Sequence, residues 1–123
     1  MGLDITFYAV KKTEVGSFRK VNFILTYFDI EEEDNAEDIV ISKEQLGDFV
    51  AELRCELALQ SDFPSCSDAP VNPRLRTKGV FYGGSTAYDE RFWDDLAGVY
   101  KWAKGLLNSF DWENCSLAIN AWW

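Results

Sequence analysis

Four carboxylates recur at a spacing of four residues: Glu44, Asp48, Glu52 and Glu56. On a helix each such step rises about 6 Å, close to the spacing of phosphates on a nucleic-acid strand. A row of this kind can present negative charge to a basic groove. It can equally be an ordinary solvated helix face. Like charges at i,i+4 cost a helix roughly 0.2–0.5 kcal/mol per pair, so the chain keeps the row against a small penalty. The stripe is expected to drift around the helix while staying clear of its apolar face.

Acid is denser still just upstream. Seven of the ten residues from Asp29 to Asp38 are acidic, including Glu31, Glu32, Glu33, Asp34, Glu37 and Asp38. Clustered like charge disfavours order unless something neutralises it. A calcium loop of the EF-hand type is excluded, because the alternating Asp/Asn ligands and the central glycine are missing. A loosely held divalent ion is the remaining metal reading, since hard cations take oxygen ligands.

Other constellations resolve to structure rather than chemistry. Gly83-Gly84-Ser85-Thr86 resembles a phosphate-cradling turn, but the lysine of a P-loop does not follow it. Asp89 and Glu90 put negative charge where the phosphate would sit, so a tight turn with an N-cap is the simpler reading. Asp89, Glu90, Asp94 and Asp95 precede Lys101 and Lys104 on one expected helix, the charge order that a helix dipole favours. The chain contains no histidine, so a serine or cysteine nucleophile would lack its usual base. Without histidine or a C-x-x-C pair, a zinc site is also disfavoured. No catalytic residue, metal ligand or cofactor is assigned.

The 123 residues carry 21 Asp and Glu against 12 Lys and Arg, a net charge of -9. That balance argues against direct nucleic-acid binding, which needs Lys and Arg to neutralise phosphates. It favours a basic partner, or solubility. Hydrophobic residues at 47% and aromatics at 15% argue against a disordered tail. The odd set Cys55, Cys66 and Cys115, and N-terminal residues that alternate instead of forming a signal-type apolar run, point to a reduced, cytoplasmic setting. No apolar run approaches the ~20 residues of a membrane span. Cys55 is expected beside the core, and Cys66 is expected as an exposed loop thiol.

The elements that must position these groups follow from periodicity. Leu3 to Val10 alternates as a strand, with Leu3, Ile5, Phe7 and Ala9 on one face. Lys11 to Gly16 reads as a polar turn. Ser17 reads as the cap of a helix reaching about Phe28, with Val21, Ile24, Leu25 and Phe28 at helical spacing. Ile39-Val40-Ile41 is a short β-branched strand. Ser42 and Gln45 form a capping box for a helix with an apolar stripe of Leu46, Phe49, Val50, Leu53 and Leu57. Gln60 to Lys78 holds all three prolines and reads as a long loop. Within it Arg74, Arg76 and Lys78 alternate, able to anchor the molecule's own acidic loop or to contact a partner, with an edge strand protected by charge as the simpler reading. Val80-Phe81-Tyr82 is a further expected strand. A third helix runs from Ser85 or Thr86 to about Leu107. Cys115 to Trp123 alternates as the last strand, which sends Trp122 and Trp123 to opposite faces. One of these rings is then exposed, and exposed tryptophan is a typical interface anchor.

The expected fold is a single α+β domain over residues 1–123, in the order β-α-β-α-β-α-β. Its small mixed or antiparallel sheet is covered by about three helices.

Met1-Gly2-Leu3-Asp4, Phe18-Arg19-Lys20-Val21-Asn22 and the run Gly79-Val80-Phe81-Tyr82-Gly83-Gly84-Ser85-Thr86-Ala87-Tyr88-Asp89-Glu90 resemble a family of small bacteriophage and prophage proteins. The resemblance runs from the first strand through the third helix. The loop from Cys66 to Arg76 is longer than the family's usual form. The family brings no catalytic residues to transfer. What the resemblance implies is a setting, the bacterial cytoplasm during infection or lysogeny.

Charge, aromatics and setting together lead to one expectation. The protein is a non-enzymatic binder of a basic host protein, of the anti-CRISPR or anti-restriction type, presenting a phosphate-mimicking acidic surface. Its expected contacts are Glu31, Glu32, Glu33, Asp34, Glu37 and Asp38 of the connector, Glu44, Asp48, Glu52 and Glu56 of the row, and Trp122. The alternatives are an Asp/Glu-based metal-binding protein or enzyme, and a phage structural component.

Overall fold

A computed structural model describes residues 3–8, 13–19, 21–31, 34–75 and 91–122. The family-like run from Gly79 to Glu90, the expected strand Val80 to Tyr82, Arg76, Lys78 and Trp123 lie outside the described residues. So do Glu32 and Glu33.

Strands β1 (Asp4–Tyr8) and β2 (Glu14–Arg19) come first, followed by the short helix α1 (Asn22–Tyr27) and strand β3 (Asp38–Ile41). Helix α2 (Lys43–Leu57), a single 3-10 turn at Cys66–Asp68, helix α3 (Phe92–Ser109) and strand β4 (Leu117–Trp122) complete the described chain. The four strands form one sheet in the order β2-β1-β4-β3, antiparallel throughout. This is an α+β domain, as the periodicities predict.

Among the described residues the order differs at one place. Ser17 does not cap a helix; it lies in β2, paired with Thr6. The helix expected from Ser17 begins at Asn22. Two features hide β2 in the sequence. A bulge between Phe7 and Tyr8 gives Val15 no partner of its own, which breaks the period of two. Gly16, which reads as a turn, sits in the strand because the Trp102 indole lies over it. A Cβ on Gly16 would fall 2.5 Å from Cε2 of that ring.

The sheet has two unlike faces. Ile5 and Phe7 of β1, Leu117, Ile119 and Ala121 of β4, and Ile41 of β3 are buried. They pack with Leu46, Phe49 and Leu53 of α2 and with Phe92, Leu96, Val99 and Ala103 of α3 in one core. Phe7 and Phe18 both meet the Trp102 ring, at centroid distances of 4.6 and 5.0 Å. The opposite face carries Asp4, Ser17, Asp38, Val40 and Trp122, all exposed.

Helix α2 starts as its capping box predicts. The Gln45 N–H donates to Ser42 Oγ at 3.1 Å, and the Ser42 N–H donates to Gln45 Oε1 at 2.7 Å. The long loop after α2 is pinned rather than loose. Cys66, Ala69 and Leu75 are buried, and Trp93 Nε1 donates to the Phe63 carbonyl at 3.1 Å. The cysteine expectations reverse: Cys66 is buried, and Cys55 is exposed.

Candidate functional site

The acidic row on α2 is not one surface. Glu44 and Asp48 are exposed, Glu52 is half-buried, and Glu56 is only 3% exposed. Helix geometry is the cause. At 3.6 residues per turn a step of four advances about 40° beyond a full turn. Three steps carry the row about 120° around the axis. Glu56 therefore completes the buried stripe of Leu46, Phe49 and Leu53. The expectation that the row stays clear of the apolar face is corrected at Glu56. Its carboxylate is enclosed, so it does not present itself to a partner at the surface.

The buried end of the row is occupied by the loop. Asn72 Nδ2 donates to Glu52 Oε2 at 2.9 Å and lies 3.4 Å from Glu56 Oε1. Asn72 Oδ1 accepts from the Arg74 N–H at 3.0 Å. Arg74 Nη1 meets Glu52 Oε1 at 2.9 Å. Arg74 thus pairs with acid of the chain itself, but not with the acidic loop that its spacing offers as a partner. That acid belongs to α2, and the extended loop supplies the anchor.

Beside this cluster lies a cleft of about 490 Å³, walled by Thr26, Tyr27, Phe28, Asp29, Asp48 and Arg74. Tyr27 and Phe28 form its aromatic corner, with ring centroids 5.0 Å apart, and both pack on the fully buried Phe49 behind them at 4.8 and 4.9 Å. The Tyr27 hydroxyl ionises above its ordinary range. Burial is the main cause, the Asp48 and Glu52 carboxylates add to it, and Arg74 opposes it.

The described residues of the acidic connector are tied to α1 at one end and to β4 at the other. Asp29 adopts a left-handed conformation, φ 54°, just past the end of α1. The Asp29 N–H donates to the Thr26 carbonyl, and the Ile30 N–H donates to the Leu25 carbonyl at 2.9 Å. This pattern closes a helix end around a left-handed residue. Ile30 is buried, and Glu31 turns outward. The Glu31 N–H donates to Asp34 Oδ2 at 3.0 Å, so Asp34 stabilises its own turn. The Ala36 N–H donates to the Ala121 carbonyl at 2.7 Å. Asn120 Nδ2 donates to the Ala36 carbonyl at 3.0 Å and to Asp38 Oδ1 at 2.9 Å.

These bonds bring together two features that are far apart in sequence. Trp122, on β4, is 62% exposed. Register places it opposite Asp4 on β1, and it stands two residues from Asn120, the partner of Asp38 on β3. Asp4 thus lies across from Trp122 on β1, and Asp38 lies diagonal to it on β3. Glu31 and Glu37 are exposed on the connector alongside. Val40, 65% exposed, faces the same way further along β3. Trp112 does not extend this surface. It packs on Phe110 at 4.6 Å and donates to the Leu107 carbonyl at 3.2 Å, closing the end of α3.

Sequence reasoning missed Asp4 and Asn120. The strand alternation contained a signal for Asn120, an amide on a β-rich strand facing away from the core. Among the described residues no three His, Cys, Asp or Glu side chains converge to hold a metal ion. No described helix is long and apolar enough to cross a membrane. Comparison with protein-family models, curated proteins and solved structures returns no match for this chain.

Proposed function

We propose that this protein is a non-enzymatic binding protein that engages a basic partner protein through Trp122 and the acidic connector. One observation carries the reading: an exposed tryptophan on the open face of the sheet, with Asp4 across from it and Asp38 diagonal to it. Tryptophan supplies a large apolar anchor at low conformational cost and is enriched among energetically dominant contacts. Its ring attracts arginine and lysine, and flanking carboxylates complete a setting suited to a basic side chain. The net charge of -9 steers such a partner from a distance.

The resemblance to bacteriophage and prophage proteins supports a narrower form of the reading. The partner is a nucleic-acid-handling host protein in the bacterial cytoplasm, and the acidic surface stands in for phosphates, as in an anti-CRISPR or anti-restriction inhibitor. The burial of Glu56 and the pairing of Glu52 with Arg74 move that surface off the second half of α2. The connector acids, with Glu44 and Asp48, carry it instead.

The test is a tagged pull-down from bacterial lysate with the intact protein and a Trp122→Ala variant in parallel, washed at low and then high salt. A basic, nucleic-acid-binding protein that is held at low salt, released at high salt and lost with Trp122→Ala is the expected result. Exposed charge is screened over about 8–10 Å near physiological ionic strength. The same proteins bound to both forms at both salts, or none bound to either, would overturn the reading.

A further inference from the structure

We propose that the cleft walled by Tyr27, Phe28, Asp29 and Asp48 receives a guanidinium side chain of the same basic partner. The proposal rests on the reading above that the protein binds one.

The charge balance of the cleft points to a cation. Arg74 is the only base among its described lining residues, and Glu52 already answers it at 2.9 Å. Asp29 and Asp48 remain, and among the described residues neither has an ion-pair partner. At the Tyr27 hydroxyl, whose ionisation is raised first by burial, the Asp48 and Glu52 carboxylates add to the rise and Arg74 opposes it. Guanidinium suits the remaining surfaces better than ammonium does. It is planar, is more weakly hydrated, stacks on aromatic rings and takes carboxylates in a fork.

Asp29 is a poor residue for its local position. A left-handed residue closing a helix is usually glycine. Negative charge at a helix C-terminus also opposes the dipole. The carboxylate therefore works against the fold at a place where it faces the cleft. The connector that begins at Asp29 ends at Asp38 beside Asn120. A partner lying along that connector reaches the cleft at one end and Trp122 at the other.

The test is an amide-resolved NMR titration of the intact protein with N-acetyl-arginine methylamide. N-acetyl-norleucine methylamide serves as the uncharged control, and inorganic phosphate as the anion. The arginine probe is expected to shift Thr26, Tyr27, Phe28, Asp29 and Gln45 in a saturable way. Its affinity should fall at least tenfold in an Asp29→Asn/Asp48→Asn variant, whose own spectrum reports its folding, and Asp29→Asn alone should give an intermediate loss. Shifts that do not saturate, that persist in the double variant, or that phosphate produces more strongly than arginine would overturn the cleft assignment. A cleft that fails while the pull-down still depends on Trp122 removes this proposal alone. A pull-down that fails removes the binding reading on which it rests.

Discussion

Asn120 Nδ2 stands 2.9 Å from Asp38 Oδ1 and donates to it, which ties the acidic connector to the strand that carries Trp122. Asn120 is 7% exposed, so its amide is a buried donor serving two acceptors, Asp38 and the Ala36 carbonyl. Replacing it with alanine removes both bonds. Hydrogen bonds contribute about 0.5–1.5 kcal/mol each, and more to a charged acceptor. Asn120→Ala should cost roughly 2 kcal/mol of stability in urea unfolding. It should also speed hydrogen exchange at the Ala36 amide, the donor to Ala121. Unchanged exchange at Ala36 would mean that the connector is held by other contacts.

Asn72 has the corresponding role at the other acidic cluster. It spans Glu52 and Glu56 and takes the Arg74 N–H on its carbonyl oxygen. Asn72→Ala should destabilise the domain by about 1–3 kcal/mol, because the half-buried Glu52 and the buried Glu56 each lose a hydrogen bond from the Asn72 amide. Arg74→Ala should cost under about 1 kcal/mol, since that side chain is largely exposed and exposed ion pairs contribute little. Chemical denaturation of the two variants gives the order directly. Equal losses would contradict the burial difference between the two contacts. Neutralising the whole acidic row at once would mix these effects with surface charge. Glu44→Gln with Asp48→Asn is the cleaner probe of the surface.

Tyr27 makes stability depend on alkaline pH. Its folded ionisation lies above the ordinary tyrosine value of 10.0, through burial first and then Asp48 and Glu52. The unfolded chain therefore releases this proton at lower pH than the folded protein. Between the two values the folded state binds more protons, so stability falls as pH rises. The Tyr27 contribution is fully present below pH 10 and is lost as pH climbs through the unfolded and then the folded value. Urea midpoints measured from about pH 9 to about pH 11.5, a range that brackets the ordinary tyrosine ionisation, should fall less steeply for Tyr27→Phe than for the intact protein. Parallel curves would show that Tyr27 does not carry the effect.

Asp29 predicts a conflict between stability and binding. Asp29→Gly relieves a left-handed non-glycine residue and removes negative charge from a helix C-terminus. Together these should raise stability by about 1 kcal/mol, seen as a higher thermal midpoint. If the midpoint falls, the Asp29 side chain makes a contact that outweighs both penalties.

Much of the framework is legible in the sequence because single faces carry it. The β1 and β4 alternations correctly place Ile5, Phe7, Leu117, Ile119 and Ala121 in the core. Ser42 and Gln45 mark the start of α2 through a local, reciprocal pair of bonds. What is lost depends on three dimensions. The fate of Glu56 follows from the accumulated drift of a spacing of four, and from where the neighbouring loop lies. The union of the connector with Trp122 depends on Asn120 and Ala36, 84 residues apart. Cys66 is polar in context but buried in fact, because its loop folds back under Trp93.

Gly16 shows the same limit in one residue, and it supports a sharp prediction. A glycine at the end of the mostly polar run from Lys11 reads as a turn, yet here it is the clearance for an indole. Trp102 Nε1 donates to the Val15 carbonyl at 2.8 Å, and the ring lies against Gly16, Phe7 and Phe18. Gly16→Ala would place a methyl carbon inside the ring's contact distance. Either the indole shifts and its hydrogen bond lengthens, or β2 moves away from α3. Overpacking of this kind costs about 1–3 kcal/mol, and the hydrogen bond adds about 1 kcal/mol if it breaks. A double variant, Gly16→Ala with Trp102→Leu, separates the causes. Trp102→Leu is destabilising alone through lost burial, but it removes the obstacle, so the added cost of the alanine should fall to near zero in its presence. An alanine cost that is the same with and without Trp102 would mean that Gly16 is needed for its backbone, and that the indole does not dictate the glycine.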